Sequence, residues 1–225
     1  MRDNHPKQRQ LRRQSRRLER KKSTRAGLPA ILVVCEGRET EPNYFRGLCE
    51  EHGVNRANVT IISGEEETSA AGLVRKARYR FQVDRDFDSV FVVCDCVEED
   101  LGEARKLAAQ ALKNVTGESL ATVLIVSRPS FEFWLLLHFE YVARPFRSAD
   151  PVIDLLRRHL TDYDKADRLI FAKVRSGLDR ALGHVPRLKA ELLATGAQSP
   201  DTDVSILVQK MLSLRDRAKI TSHFW

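Results

Sequence analysis

Four short apolar runs alternate with amphipathic segments along the first 126 residues of the chain. The runs are rich in β-branched residues and occupy residues 31–35, 59–62, 90–94 and 121–126. Such runs are typical of strands that are buried on both faces of a sheet. The segments between them place apolar residues at helical spacing, so the order β-α-β-α-β-α-β predicts an α/β fold. We expect a parallel sheet of about four strands, flanked by helices on both faces.

Helical segments follow the strands and continue to the end of the chain. The first includes Pro42, which fits a first helical turn, and Thr40 is predicted to cap it. Two more helices are predicted over residues 67–82 and 101–114. After the fourth strand the pattern is helical over residues 131–140, 150–160, 166–193 and 203–217, with breaks at Gly183, Pro186 and Gly196. We expect these later helices to pack against the sheet rather than to form a separate domain.

Polar residues follow three of the predicted strands directly. Glu36 and Gly37 follow the first strand, Asp95 follows the third, and Arg128 lies just after the fourth. Ligands of open parallel sheets bind beyond the carboxyl ends of the strands. If the first and third strands are neighbours, Glu36 and Asp95 face the same crevice, and a divalent cation such as Mg²⁺ or Mn²⁺ would relieve their repulsion. The alternative is that these acids only cap strand–helix turns.

The net charge of +7 is concentrated at the amino terminus. Residues 1–26 contain eleven Lys and Arg against two acids, a charge of +9, whereas the remaining residues contain 27 basic and 29 acidic side chains, a charge of −2. The composition predicts a disordered basic arm. We expect it to contact nucleic-acid phosphates through arginines such as Arg12, Arg13, Arg16 and Arg17. The alternatives are a solubilising arm or one that docks on a partner's acidic face.

The composition also indicates a compartment. No apolar run reaches the roughly 18 residues of a membrane span, and the amino terminus lacks a hydrophobic signal region, so we expect a cytoplasmic protein without a membrane partner. The four cysteines fit a reducing environment. Cys35 and Cys94 end apolar runs and are predicted to be buried free thiols rather than zinc ligands.

Five sequence blocks together resemble the RloB-like family, also called the AbiLii type of abortive-infection protein. They are VCEGRETEPNYF (34–45), FDSVFVVCD (87–95), SRPSFEFWLLLHFE (127–140), the pair Tyr163 and Lys165, and SPDTDVSILVQKM (199–211). The blocks cover roughly residues 30–212. The resemblance implies an RloB-like domain over residues 27–217, with a core over 30–130, a helical extension over 131–217 and a tail over 218–225.

The resemblance further implies that the core is a Rossmannoid, TOPRIM-like fold. In that fold a Glu after the first strand and an Asp-x-Asp after the third bind Mg²⁺, and Glu36 and Asp95 match the Glu and the first Asp. The second Asp is replaced by Val97, which cannot bind a metal, so Glu98 or Glu99 would have to reach the ion by another path. Arg128 also replaces an asparagine expected before Pro129.

The block FEFWLLLHF is mostly predicted core, with two polar exceptions. Glu132 and His138 are either a buried hydrogen-bonded pair or separate exposed residues, or else Glu132 lies at the rim of the crevice that holds Glu36. In the last interpretation Arg128 and Lys165 become phosphate contacts; otherwise they are ordinary surface charges.

Three functional hypotheses follow. RloB-like proteins resemble nucleases that act beside an AAA/ABC-type ATPase in phage-defence systems, on transfer RNA or DNA. The first hypothesis is therefore a metal-dependent nuclease in which Glu36 and Asp95 hold Mg²⁺ or Mn²⁺ and Glu41 or Glu132 is the base. The second is a non-catalytic subunit that binds nucleic acid or the ATPase, which Val97 favours. The third is an RNA-binding protein that acts through its arm. A homo-oligomer and a monomer are both left open.

Overall fold

The computed structural model describes residues 28–64, 67, 69–95 and 98–215, of which residues 98–100 are described by their backbone alone. The expectations for the arm over 1–26, with Arg12, Arg13, Arg16 and Arg17, lie outside the described residues. So do those for Val97 and for the tail over 218–225.

Seven strands and eight α-helices are found in the described residues. In chain order they are β1 (Ile31–Cys35), α1 (Thr40–Glu51), β2 (Val59–Ser63), α2 (Ala70–Val83), β3 (Ser89–Asp95), α3 (Glu98–Ala109), β4 (Leu112–Lys113), β5 (Ser119–Leu120), β6 (Thr122–Arg128), α4 (Phe131–Leu137), α5 (Asp150–His159), α6 (Ile170–Val174), α7 (Leu178–Thr195), β7 (Asp201–Thr202) and α8 (Val204–Ser213). A 3-10 turn, Arg175–Gly177, joins α6 to α7.

The main sheet has the strand order β2-β1-β3-β6-β7. The four strands β2, β1, β3 and β6 are parallel, which confirms the predicted α/β architecture. The fifth, β7, is a two-residue antiparallel strand on β6 that the sequence pattern did not predict. Strands β4 and β5 form a separate small hairpin. Because β1 and β3 are parallel neighbours, their carboxyl ends lie side by side.

Each face of the sheet carries its own core. On β1, Leu32 and Val34 pack with α2 and α3, whereas Ile31, Val33 and Cys35 pack with α1 and with the helices after residue 130. This division follows from the alternation of side chains along a strand. The later helices therefore share one continuous core with the sheet. Cys35 and Cys94 are buried free thiols, as predicted.

Several predicted helix boundaries were wrong. The helix expected over 101–114 ends at Ala109, because Leu112 and Lys113 pair with the next short strand. The helix expected over 166–193 is instead α6, the 3-10 turn and α7. A side chain at Gly177 would clash with the backbone, since a Cβ there would lie 2.0 Å from the His138 carbonyl oxygen.

Two of the three predicted breaks were also wrong. Gly183 and Pro186 lie inside the continuous helix α7, whose residues Leu178, Ala181, Val185 and Leu188 are buried on both sides of the proline. This packing outweighs the helix-breaking tendency of the two residues. Gly196 ends α7 with a φ of 70°, as the pattern predicted.

The first helix begins one residue away from its predicted cap. Thr40 is the first helical residue of α1, and Glu39 precedes it. The Thr40 hydroxyl donates instead to the carbonyl oxygen of Lys165, at 2.8 Å. None of the helices in the described part of the chain is long and apolar enough to cross a membrane.

Candidate active site

A cleft of about 640 Å³ opens at the carboxyl ends of β1 and β3. Seven acidic residues line it, and four of them are predicted site residues: Glu36 after β1, Glu41 on α1, Asp95 at the end of β3, and Glu132 on α4. Lys165, from the loop between α5 and α6, also lines the cleft, beside Glu132. The condition for a shared crevice is met, because β1 and β3 are neighbours, and Glu36 and Asp95 line the same cleft. The cleft also collects residues that are more than 120 positions apart in the sequence.

Glu36 is held beside Asp95 by the register of the two strands. Cys35 lies opposite Val93, and the backbone N–H of Glu36 donates to the Val93 carbonyl oxygen at 2.9 Å. The backbone N–H of Asp95 in turn donates to Glu36 Oε2 at 3.0 Å. The backbone and the carboxylate of Glu36 thus link the end of β1 to the end of β3.

Glu41 reaches back over the turn that follows β1. Its side chain is buried, and Oε1 accepts a hydrogen bond from the backbone N–H of Gly37 at 3.1 Å. A Cβ on residue 37 would lie 1.8 Å from Glu41 Oε2. Gly37 is therefore required for Glu41 to occupy this position. In the sequence Gly37 stands out only as the end of a strand; its spacing of four from Glu41 was the available signal for this contact.

Burial, with mutual repulsion in addition, raises the pKa of two of these acids. The pKa of Asp95 is raised to about 8, first by burial and then by the charges of Glu41, Glu132 and Glu36. Burial also raises the pKa of Glu41, with Glu132 and Glu36 contributing. A divalent cation among these oxygens would replace that repulsion with attraction.

Glu132 has a different environment. It is 3% exposed, and it accepts hydrogen bonds from the Ser130 hydroxyl at 2.6 Å and the Tyr163 hydroxyl at 3.0 Å. Lys165 Nζ lies 3.2 Å from Glu132 Oε1. Although burial raises the pKa of Glu132, the bond from Ser130 and the charge of Lys165 outweigh it, so that the pKa is lowered overall. The carboxylate of Glu132 therefore already has hydrogen-bond donors for both of its oxygens, and its ion pair with Lys165 holds that side chain at the cleft.

The predicted alternatives for Glu132 and His138 are resolved by their contacts. His138 is buried, but its ring nitrogens face the Tyr44 hydroxyl at 3.1 Å and the Trp134 carbonyl oxygen at 3.0 Å. The two residues are neither a hydrogen-bonded pair nor exposed, so both of those interpretations were wrong. Glu132 lines the crevice that holds Glu36, as the third interpretation predicted.

Arg128 does not join the cleft, contrary to the expectation that it contacts phosphate there beside Lys165. Its guanidinium lies 3.8 Å from Asp201 of β7 and lines a separate cavity with Arg105 and Lys189. The reason is the antiparallel pairing of β7, which places Asp201 opposite Arg128. Glu98 and Glu99 open helix α3 close to the end of β3, and their side chains lie outside the described residues.

The carboxylate oxygens of the cleft suit a hard cation, although they do not form a complete set of ligands. In the described residues no three His, Cys, Asp or Glu side chains form a ready metal cage. Mg²⁺, however, commonly binds through one or two carboxylates and keeps several waters. Glu36, Asp95 and Glu41 offer only oxygen ligands, and the raised pKa values of Asp95 and Glu41 mark the place where a positive charge is most favourable. The residues therefore fit Mg²⁺ or Mn²⁺.

The fold and the site define an α/β protein with an acidic cleft at the carboxyl edge of a mostly parallel sheet. Residues 31–211 match the family model described as RloB-like protein, and the chain therefore belongs to the RloB-like family. No curated protein and no solved structure matches the chain.

Proposed function

We propose that this protein is a metal-dependent nuclease that hydrolyses phosphodiester bonds in RNA or DNA. The observation that carries this proposal is the convergence of Glu36, Glu41 and Asp95 at the ends of two neighbouring parallel strands, in a cleft that Lys165 also lines. A cation held by the acids and the ammonium group of Lys165 would both attract a phosphodiester, which carries negative charge.

Glu36 and Asp95 would hold Mg²⁺ or Mn²⁺, with Glu98 or Glu99 as further ligands. The ion, when bound, would polarise the phosphodiester and lower the pKa of an attacking water. Glu41 is the favoured base, because its raised pKa brings proton transfer closer to neutral pH. Glu132 is less suited to that role, since its oxygens are already bonded to Ser130, Tyr163 and Lys165. Its proposed role is to position Lys165.

The biological setting of the proposal comes from the family. An RloB-like, AbiLii-type protein with a TOPRIM-like core would act in a bacterial phage-defence system, on transfer RNA or DNA, beside an AAA/ABC-type ATPase. The basic arm would add salt-sensitive affinity for the nucleic acid.

A second candidate is a non-catalytic subunit that binds nucleic acid or the ATPase. The observation that favours it is Val97, which stands where the family motif has a second metal-binding Asp. This protein would keep the cleft but bind a cation weakly.

Calorimetric titration of Mn²⁺ into the purified protein tests the proposal. The variants Glu36→Gln and Asp95→Asn should lose the binding heat, whereas Glu50→Gln, an exposed residue at the far end of α1, should keep it. Binding would then justify a cleavage screen on transfer RNA and DNA. Equal heats for wild type and Glu36→Gln would contradict the metal assignment. Binding without cleavage of either substrate would favour the non-catalytic subunit.

A further inference from the structure

The loop between α5 and α6 brings Lys165 to the acidic cleft. We call residues 160–169 the Lys165 loop. Asp164, Lys165 and Ala166 of this loop line the cleft. The backbone N–H of Ala166 donates to Asp164 Oδ1 at 2.8 Å, and that of Asp167 donates to the Asp164 carbonyl oxygen at 3.1 Å. Lys165 is therefore presented by a compact turn rather than by an extended connection.

Thr40 and Asn43 attach the Lys165 loop to the start of α1. Thr40 is buried, and its hydroxyl donates to the Lys165 carbonyl oxygen at 2.8 Å. The side-chain nitrogen of Asn43, which is also buried, lies 3.5 Å from the carbonyl oxygens of both Ala166 and Asp167. Three consecutive carbonyl groups of the loop thus face two side chains of α1.

The hydroxyl of Thr40 is not used to cap its own helix. In the described residues no side chain caps α1 from the cap position, which Glu39 occupies. Threonine at a helix start commonly accepts a hydrogen bond from that helix. Thr40 instead donates to a loop 125 positions further along the chain. Local sequence rules are most often broken at functional sites, so this contact points to a role of Thr40 in the cleft.

Contacts with Glu132 do not by themselves place the backbone of Lys165. The ion pair with Glu132 orients the ammonium group, but the Lys165 side chain is 66% exposed, and ion pairs at such exposure are weak. Tyr163 also bonds to Glu132 and anchors the loop two residues earlier. The hydrogen bond from the buried Thr40 acts on the backbone of Lys165 directly. The position from which the lysine side chain extends is therefore set by α1.

We propose that Thr40 and Asn43 are positioning residues that hold the ammonium group of Lys165 at the cleft. They would act through the backbone of the Lys165 loop and not through contact with a substrate. Because Thr40 directly precedes Glu41, the start of α1 would fix the spacing between the acidic residues and the ammonium group. The inference rests on the proposed nuclease function for the use made of Lys165, whereas the positioning itself can be measured without a substrate.

The first measurement is the rate at which Lys165 of the full chain reacts with an amine-acylating reagent, followed by mass spectrometry. Burial lowers the pKa of Lys165, but the charge and hydrogen bond of Glu132 outweigh it and raise the pKa, so the reactive free amine is scarce. Thr40→Val loses the donor and should let Lys165 react about threefold faster. Asn43→Ala should give a smaller increase, because its contacts are longer. Thr40→Ser keeps the hydroxyl and should react like the wild type.

The matched control is Thr195→Val. The Thr195 hydroxyl also donates to a backbone carbonyl oxygen, that of Glu191 at 2.9 Å, but at the exposed end of α7. This variant should leave the reaction of Lys165 unchanged. Lys189, which is held by two aspartates, reports in every variant whether the fold is intact. An unchanged rate at Lys165 in Thr40→Val would overturn the inference, and so would an equal increase at Lys165 and Lys189.

The second measurement is a double-variant cycle on cleavage, which tests whether Thr40 acts through Lys165. Lys165→Gln should lower kcat/KM about 10²-fold, and Thr40→Val about tenfold. The double variant should be no slower than Lys165→Gln, because Thr40 then has no ammonium group left to position. A loss of about 10³-fold in the double variant, the product of the single effects, would overturn the inference.

The outcome is separable from that of the proposed function. Faster acylation of Lys165 in Thr40→Val, together with no cleavage by the wild type, would support the positioning and remove the nuclease. Cleavage that depends on Glu36, with Lys165 acylation and kcat/KM unchanged in Thr40→Val, would support the nuclease and remove the positioning.

Discussion

The two walls of the acidic cleft hold buried carboxylates of the same chemical type with opposite electrostatics. On one wall, Asp95 and Glu41 are buried beside acidic neighbours, and burial together with this repulsion raises their pKa values. On the other, Glu132 is surrounded by Ser130, Tyr163 and Lys165, and its pKa is lowered. Burial alone therefore does not decide the charge state. The neighbouring groups also contribute. Around Asp95 and Glu41 they are acidic, so that a bound cation would be stabilising, whereas the carboxylate of Glu132 already has hydrogen-bond donors and a paired lysine.

The largest expected effect is the loss of cleavage on substitution of Asp95, one of the carboxylates with a raised pKa. Asp95→Asn should reduce metal-dependent cleavage on the order of 10³-fold, because the ion supplies several kcal/mol of transition-state stabilisation. The same change should raise the metal-free stability at pH 7 by at least about 1 kcal/mol, because the raised pKa of Asp95 means that folding must protonate or repel this carboxylate, a cost that Asn does not have. Urea unfolding in EDTA and a cleavage assay measure the two effects. Asp154→Asn, at an exposed position, is the control. If Asp95→Asn were less stable than the wild type in EDTA, the unfavourable environment assigned to Asp95 would be contradicted.

Removal of the Glu132 carboxylate should lower the stability of the protein, whereas Asp95→Asn should raise it. Glu132→Ala leaves the buried Ser130 and Tyr163 hydroxyls without their acceptor, so the free energy of unfolding should fall by about 3 kcal/mol. Glu132→Gln keeps an acceptor oxygen and should cost less. Urea unfolding distinguishes the two variants, and an unchanged Glu132→Ala protein would show that these bonds contribute nothing.

A residue outside the cleft should also make the stability depend on pH. The pKa of His138 is lowered to about 4 by burial, although its bonds to the backbone act against this shift. Between the unfolded-state pKa of about 6.5 and pH 4 the unfolded chain binds a proton that the folded protein does not, so stability falls as the pH falls. The expected contribution of His138 is a loss of about 2 kcal/mol from pH 6.5 to 5, and the raised pKa values of Asp95 and Glu41 act in the opposite direction over the same interval.

The measurement is urea unfolding at several pH values. From pH 6.5 to 5 the His138→Gln protein should lose about 2 kcal/mol less stability than the wild type, while Glu50→Gln should follow the wild type. The same pH dependence in His138→Gln and in the wild type would contradict the role of His138.

The smallest expected change in stability is at Gly37. Gly37→Ala places a Cβ where Glu41 Oε2 lies, so the flexible Glu41 side chain must move, at a cost of about 1 kcal/mol. Cleavage should fall by a larger factor than stability suggests, because Glu41 loses its position. Gly102→Ala, where an added Cβ meets nothing within 4 Å, is the matched control. Full activity in Gly37→Ala would show that the position of Glu41 is unimportant.

Much of the fold was predictable because local patterns determine it. The apolar runs of β1 and β3 and the helical spacing between them require a parallel sheet, and a parallel sheet brings the ends of its strands to one edge. The shared crevice of Glu36 and Asp95 required in addition that β1 and β3 be neighbours, which the strand order of the folded sheet decided. The length of α7 was not predictable in the same way, because contacts of Val185 and Leu188 with distant helices keep it intact through Gly183 and Pro186.

The sequence by itself determined which residues stand at the edge of the sheet, since strand and helix periods are properties of neighbouring residues. Only the tertiary structure decided which partners those residues have. Glu132 meets Tyr163 across 31 positions, Thr40 meets Lys165 across 125, and Arg128 turns to Asp201 across the β6–β7 pair. Such contacts depend on how whole elements pack, and no local period records them.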